Sequence, residues 1–221
     1  WSTITVAALV LSAVAVYLKL LVLLHPSMPP GDAVFQAHRF EWVLAGRFYF
    51  TSLTPDGYLF PYAISLYLAA APFTLLTHDH VALLRVVVVA GEAIAGVLLY
   101  AMVARTWNDR RAAFAALLLF HTTLIAQGVI GTGNLTNAFG ESAALMAVAS
   151  LVLLPVTAPA WLWVVVSSVL ASMAFVAHFS TLVVLTGALG LIACAYRLGG
   201  GLTLRQTSTR VLLILGVALV V

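Results

Sequence analysis

Asp32, Gln36 and Arg39 stand four and three residues apart in the stretch "GDAVFQAHRFEWVLAGRFYF", residues 31–50. On a helix of 3.6 residues per turn, these spacings bring a carboxylate, a carboxamide and a guanidinium onto one face. Such a set can take a proton from a hydroxyl while holding an anionic group. The carboxylate suits general-base work, and a guanidinium meets phosphate oxygens with a two-pronged fork. His38 and Arg85 supply two further cations, and Glu141 a second carboxylate. A second role is open to Asp32: it directly precedes the periodic stretch, so it can accept hydrogen bonds as a helix N-cap. The two roles can coexist. Ala33, Ala37, Phe40 and Leu44 line the other face, giving an amphipathic helix suited to a membrane surface.

The chain that must position these residues is strongly apolar. It has ten Lys or Arg and seven Asp or Glu among 221 residues, yet Asp32, Arg39, Glu41, Arg47 and Asp56 gather in or just beyond this one stretch. A hydrophobic content of 63% and a mean hydropathy of +1.12 lie far outside the range of a soluble domain. The expected class is all-α, a polytopic membrane protein with a single membrane domain. Crossing about 30 Å of hydrocarbon takes about 20 apolar residues. Spans are predicted at 3–24, 81–104, 112–130, 142–157, 161–177 and 179–196, followed by a run at 211–221 that is too short to cross. The first run is too long for a signal peptide alone. The sequence is expected to be the N-terminal part of a longer membrane domain. The net charge of +3 does not point to nucleic acid, because the basic residues are scattered beside apolar runs, where they orient spans. The single cysteine, Cys194, leaves no disulfide framework and reads as a small buried residue.

Charge also sets the expected orientation. Arg105, Arg110 and Arg111 cluster in "RTWNDRR", and Arg197, Arg205 and Arg210 lie between the last two runs. The positive-inside rule puts both groups on the cytoplasmic side. If 61–77 does not cross, the N-terminus is cytoplasmic and residues 25–80 form one external loop. That loop carries two Arg against four Asp or Glu, and Pro72 interrupts 61–77 as a continuous span. The non-crossing arrangement is therefore preferred, in the cytoplasmic (inner) membrane.

An N-terminal span, then an Asp opening an amphipathic helix that ends in "LAGRFYF", resembles the membrane glycosyltransferases of the GT-C fold. "YLFPY" and the apolar helix after it are similar to the second jaw helix of their first external loop. The stretch "VALLRVVVVAGEAIAGVLLYAMVARTWNDRRAAFAALLLF" is similar to their next two spans and the basic turn between them. The likeness runs in order over residues 3–150 and more loosely to 196. It implies jaw helices within 25–80 and a donor that is a sugar on a polyprenyl phosphate, as in mannosyl- and arabinosyltransferases. It also implies Asp32 as general base or acceptor-orienting group. Arg39, His38 and Arg85, with Gln36 beside them, become candidates for binding the lipid phosphate. One departure stands out. Where many such enzymes carry a second acid, this chain reads "GTGNLTNAFGES", with Asn134 and Asn137 in its place and Glu141 the nearest carboxylate. A non-catalytic subunit, kept as a scaffold among other membrane-complex subunits, is the alternative. Membrane lipids are expected partners in either case.

The remaining polar residues read first as structural. Lys19 can snorkel from the first span to the nearer surface. Arg85 and Glu92 share a face two turns apart and must face protein or water. Gly91 and Ala95 fit a small-residue packing contact. His121 and His178 have no second ligand three or four residues away. A divalent metal is the one cofactor left open; "THDH" (77–80) has metal-like spacing but reads as a solvated turn. Trp42, Trp107, Trp161 and Trp163 lie near run ends, as an aromatic belt would. In a Cys194→Ser background, a cysteine at Thr54 should react with a membrane-impermeant thiol reagent from outside, and one at Asn108 should not. Outside labelling of the Asn108 cysteine would overturn the orientation.

Overall fold

A computed structural model describes residues 2–48, 50–51, 59–60, 64–154 and 159–198. In chain order its helices are α1 (Thr3–Leu23), α2 (Ala33–Leu44), α3 (Ser65–Ala70), α4 (His80–Trp107), α5 (Arg110–Thr122), α6 (Leu124–Gly131), α7 (Leu135–Leu153), α8 (Ala160–Phe175) and α9 (Phe179–Leu198). A 3-10 segment, Ala71–Leu75, continues α3. Two short strands, β1 (Phe50–Thr51) and β2 (Leu59–Phe60), pair antiparallel in the loop after α2, with Phe50 opposite Phe60. Apart from that hairpin the described fold is all-helical. Three helices, α1, α4 and α7, are long and apolar enough to cross a membrane.

Helix α4 is the axis of the bundle, about 42 Å long at 1.5 Å per residue, and it touches α1, α2, α3, α5 and α7. Its start is set by Asp79, whose Oδ1 accepts from the Ala82 amide at 2.9 Å. It stops at Asn108, a left-handed residue with φ 51°. Asp109 then caps α5, accepting from the Arg111 amide at 2.7 Å. Small residues let neighbours close in. A side chain at Gly91 would touch the Phe139 ring and Ser142 of α7, and Ala95 is fully buried. The small-residue contact is therefore packing within one chain. One core cluster joins α2, α3, α4 and α7 around Phe40, Tyr67, Leu84 and Leu135; a second joins α4, α7, α8 and α9 around Met146, Phe175 and Leu185.

Several sequence expectations are corrected. The run at 112–130 is not one helix: it breaks at Thr123, whose backbone is extended, between α5 and α6. The hydroxyls of Thr122 and Thr123 bond back to the carbonyls of Leu118 and Leu119 at 2.8 and 2.6 Å, where they compete with the helix ladder. The glycine-rich stretch 131–141 is helical from Leu135 onward, because Leu135, Thr136, Ala138 and Phe139 are buried and packing overrides the weak propensity of Asn and Gly. Helices α8 and α9 lie within two residues of the expected runs at 161–177 and 179–196. Residues 155–158 and 211–221 fall outside the described residues. The α3 and 3-10 pair spans about 19 Å at helical rises, too short to cross hydrocarbon. Cys194 is exposed on α9 rather than buried.

The apolar face of α2 is also rotated from expectation. Ala33, Gln36, Ala37, Phe40 and Val43 are buried, whereas Leu44 is outside together with Val34, Phe35 and Trp42. Gln36 is therefore buried while Asp32 is exposed, and its Oε1 accepts a hydrogen bond from the Tyr67 hydroxyl of α3. The cause is tertiary: Tyr67 is fully buried and its hydroxyl needs a partner.

Lys19 does not snorkel. Its ammonium is buried and forms an ion pair with Glu92 Oε1 across the α1–α4 contact. Two charges inside an apolar bundle hold only as a pair, and removing one partner typically costs about 3–5 kcal/mol. Lys19→Met should destabilise the protein by roughly that amount. The double variant Lys19→Met/Glu92→Leu should recover most of it, as read from thermal unfolding in detergent. Equal stability of the Lys19→Met variant and the parent would show that the pair contributes nothing.

Candidate functional site

The loop that carries Asp32 is held on both sides. After α1, the Arg85 guanidinium of α4 donates to the Leu23 carbonyl at 2.6 Å and to the Pro29 carbonyl at 2.9 Å. Arg85 is 5% exposed, and both terminal nitrogens are committed to backbone. Of its two sequence readings, phosphate ligand or structural residue, the geometry matches the structural one. It does not pair with Glu92, although both lie on the face of α4 turned to α1. Arg85 fastens the chain leaving α1, while Glu92 fastens α1 itself.

On its other side the loop locks into the turn between α6 and α7. The Asp32 amide donates to the Thr132 carbonyl at 3.0 Å. Gly31 lies at φ +51°, and a Cβ there would stand 2.4 Å from that carbonyl oxygen. Gly133 lies at φ +87°, and a Cβ there would stand 2.5 Å from the Ala33 amide nitrogen and 2.8 Å from that of Asp32. Two glycines in left-handed conformations thus let two backbones meet where side chains could not fit. The first two residues of the acidic motif are built against the second loop.

Asp32 occupies the N-cap position of α2 but makes no capping hydrogen bond; its backbone is helical at φ −68° and ψ −9°. Its side chain is exposed. Of the two roles open from sequence, capping is therefore not used. His38 is exposed on the same helix, and Arg39 is partly buried, its guanidinium stacked 5.0 Å from the Phe35 ring centre and 4.5 Å from that of Trp42. The two rings hold the planar cation in a fixed orientation.

Glu141 lies on the second turn of α7 and is exposed. Its Oε1 accepts from Asn137 Nδ2 at 3.0 Å, and Asn137 Oδ1 accepts from the Ser180 hydroxyl at 3.1 Å. Ser180 Oγ is in turn 2.8 Å from His178 Nδ1. Asn137, where an acid was expected, instead orients the nearest acid. Sequence reasoning missed Ser180 and Thr132 as site-building residues; neither carries a local signal, because each acts through a partner distant in sequence.

Between α1 and the α5–α6 break lies a crevice of about 450 Å³. Leu11, Val14, Leu18 and Val22 give it an apolar wall, with Lys19, His121 and Thr122 as polar lining. His121 Nε2 is 3.0 Å from Ser12 Oγ, the hydrogen-bonded packing role its sequence context suggests. Met28, Ile130 and Gly131 close the end toward α2. Gly131 directly precedes Thr132, so the crevice runs along the first span and ends beside the Asp32 lock. Among the described residues no three His, Cys, Asp or Glu side chains gather as a metal site. In "THDH", Asp79 is spent on capping α4, and the His80 ring packs edge-on against Phe40 at 5.2 Å.

No family model, curated protein or solved structure matches this chain. Its class is therefore defined by the molecule alone: among the described residues it is helical apart from one short hairpin, with three helices long and apolar enough to cross a membrane.

The lock makes a sharp prediction. Gly133→Ala, which needs both a left-handed alanine and room that the Asp32 backbone occupies, should destabilise by more than about 1 kcal/mol. Gly128→Ala, with open space around it, should be neutral or slightly stabilising. The unfolding midpoints of the two purified variants check this, and a Gly133→Ala midpoint equal to that of the parent would refute the lock.

Proposed function

We propose that this protein is a membrane glycosyltransferase that moves a sugar from a polyprenyl-phosphate donor to an acceptor hydroxyl at the α2 end of the bundle. The observation that carries this reading is the apolar crevice along α1, whose lining reaches Gly131, next to the backbone contact between Thr132 and Asp32, a residue with an exposed, uncapped carboxylate. A chain of isoprene units is fully apolar and suits Leu11, Val14, Leu18 and Val22. The phosphate and sugar would then lie at the crevice mouth, near Asp32. In the reaction, the acceptor hydroxyl gives its proton to the Asp32 carboxylate as its oxygen bonds to the sugar's anomeric carbon. The bond from that carbon to the phosphate oxygen breaks, and the polyprenyl phosphate leaves with the electron pair. Arg39, oriented by Phe35 and Trp42, and His38 are the cations available to the leaving phosphate. Gln36, which faces Tyr67, supports α2 rather than the substrate. Glu141, held by Asn137, is the candidate second carboxylate.

The surface of the loop supports membrane seating. Val34, Phe35 and Trp42 on α2 are exposed, and beyond α3 Leu75 and Leu76 are 93% and 80% exposed. Apolar side chains presented at one end of a bundle in this way suit the membrane interface, as jaw helices of the GT-C kind would.

A non-catalytic subunit built on the same bundle is the second reading. What favours it is the commitment of Arg85 to backbone carbonyls, which removes one of three cations expected at the phosphate. One experiment separates the two. Asp32→Asn should leave folding unchanged, because Asp32 makes no capping bond, and should cut transfer from a polyprenyl-phosphate sugar by about 10²–10⁴-fold. Glu141→Gln should be comparably damaging if Glu141 is the second acid. Unchanged transfer in Asp32→Asn would remove Asp32 from the mechanism. No transfer by the wild-type full-length protein across a broad donor panel would favour the scaffold.

A further inference from the structure

At the end of the bundle opposite Asp32, a polar cavity of about 540 Å³ lies among the N-terminus of α1, the C-terminus of α4 and the start of α5. Its wall has two characters. Ile4, Ala101 and Ala104 are small and apolar, whereas Arg105, Asn108, Asp109, Arg110 and Arg111 are polar. The left-handed Asn108 makes the turn so tight that arginines from the end of α4 and the start of α5 face one space. Asp109, whose Oδ1 accepts from the Arg111 and Ala112 amides at 2.7 and 3.3 Å, is the one acid in this wall against three arginines, which leaves it net positive. Arg105 donates to the Leu153 carbonyl of α7 at 2.7 Å, which holds its guanidinium in place, while Arg110 and Arg111 are exposed.

Two tryptophans give the depth of this cavity. Trp107 ends α4 and is 70% exposed; Trp161, at the start of α8, is 66% exposed. Exposed indoles at the ends of apolar helices favour the headgroup level of a bilayer. A cavity at that level, apolar toward the helices and cationic toward water, matches one ligand chemistry. We infer that it binds the phosphate diester of an anionic glycerophospholipid, with Arg110 and Arg111 on the phosphate and Ile4, Ala101 and Ala104 against the glycerol. The volume lies within the roughly 300–1,000 Å³ range of ligand sites, and basic pockets between membrane helices are known to take such headgroups. Because α1, α4 and α5 all line it, a bound lipid would staple three helices at the end that lacks the Arg85 and glycine contacts. The inference stands apart from the transferase proposal and uses none of its residues.

The test is lipid binding by the purified protein in zwitterionic detergent micelles, titrated with phosphatidylglycerol, phosphatidylcholine or inorganic phosphate. The readouts are the unfolding midpoint and direct binding. Phosphatidylglycerol should stabilise the parent and phosphatidylcholine should not. Arg110→Gln/Arg111→Gln should weaken phosphatidylglycerol binding by roughly thirty-fold, the loss of two arginine contacts at a membrane surface. Its midpoint without added lipid should not change. Arg47→Gln, beyond α2 at the other end, should bind as the parent does. Equal responses to the two phospholipids, or full phosphatidylglycerol binding by the double arginine variant, would overturn the site. Stabilisation by inorganic phosphate alone as strong as that by phosphatidylglycerol would overturn its assignment to a lipid.

Discussion

Two charges on α4 organise the rest of the bundle. Arg85 and Glu92 lie seven residues apart, two turns along the same helix face, and both turn toward α1. An ionised group surrounded by hydrocarbon and packed side chains is tolerated only with a partner. Each finds one on the same neighbouring segment: Glu92 binds the Lys19 ammonium in α1, and Arg85 binds the Leu23 and Pro29 carbonyls where the chain leaves α1. The angular position of α1 about α4 follows from the first, and the path of the exit loop from the second. A rotation of α1 by one residue would strand both charges at once.

That path delivers Gly31 and Asp32 to the turn between α6 and α7, where the chain needs two left-handed glycines to pass. The α5–α6 break has a related consequence. Because the helix is interrupted at Thr123, α6 is free to end at Gly131 and present the Thr132 carbonyl to the Asp32 amide. The interruption also leaves room beside α1, which becomes the crevice. The groove and the Asp32–Thr132 backbone contact next to its Gly131 end thus both border one local departure from regular helix. Discontinuous helices within membranes recur where a cavity is lined.

The two ends of the bundle differ in how they are held. At the α2 end, backbone meets backbone through glycine contacts and a buried guanidinium. At the other end, the contacts are caps, a tight turn and the Arg105 bond to Leu153, with exposed arginines around a polar space. Chemistry that needs fixed geometry suits the first end, and a bound lipid contributes most at the second.

Composition and periodicity alone determined the helical membrane class, the start of α2 after Asp32, the basic turn between α4 and α5, and the structural role of His121. These are legible because each depends on local pattern: apolar length, the periodicity that opens after Asp32, a run of arginines, or a polar group with nowhere else to go. What only the tertiary structure decided is the pairing. Lys19 looks like a residue that reaches for water, and only the approach of α4 makes Glu92 its nearer partner. Gln36 looks as if it shares a face with Asp32, and only the buried Tyr67 hydroxyl turns it inward. Residues 131–141 look like a loop by their glycine and asparagine content, and only the burial of Leu135 and Phe139 makes 135–141 helix. In each case a contact distant in sequence outweighs a local preference of about a few tenths to one kcal/mol.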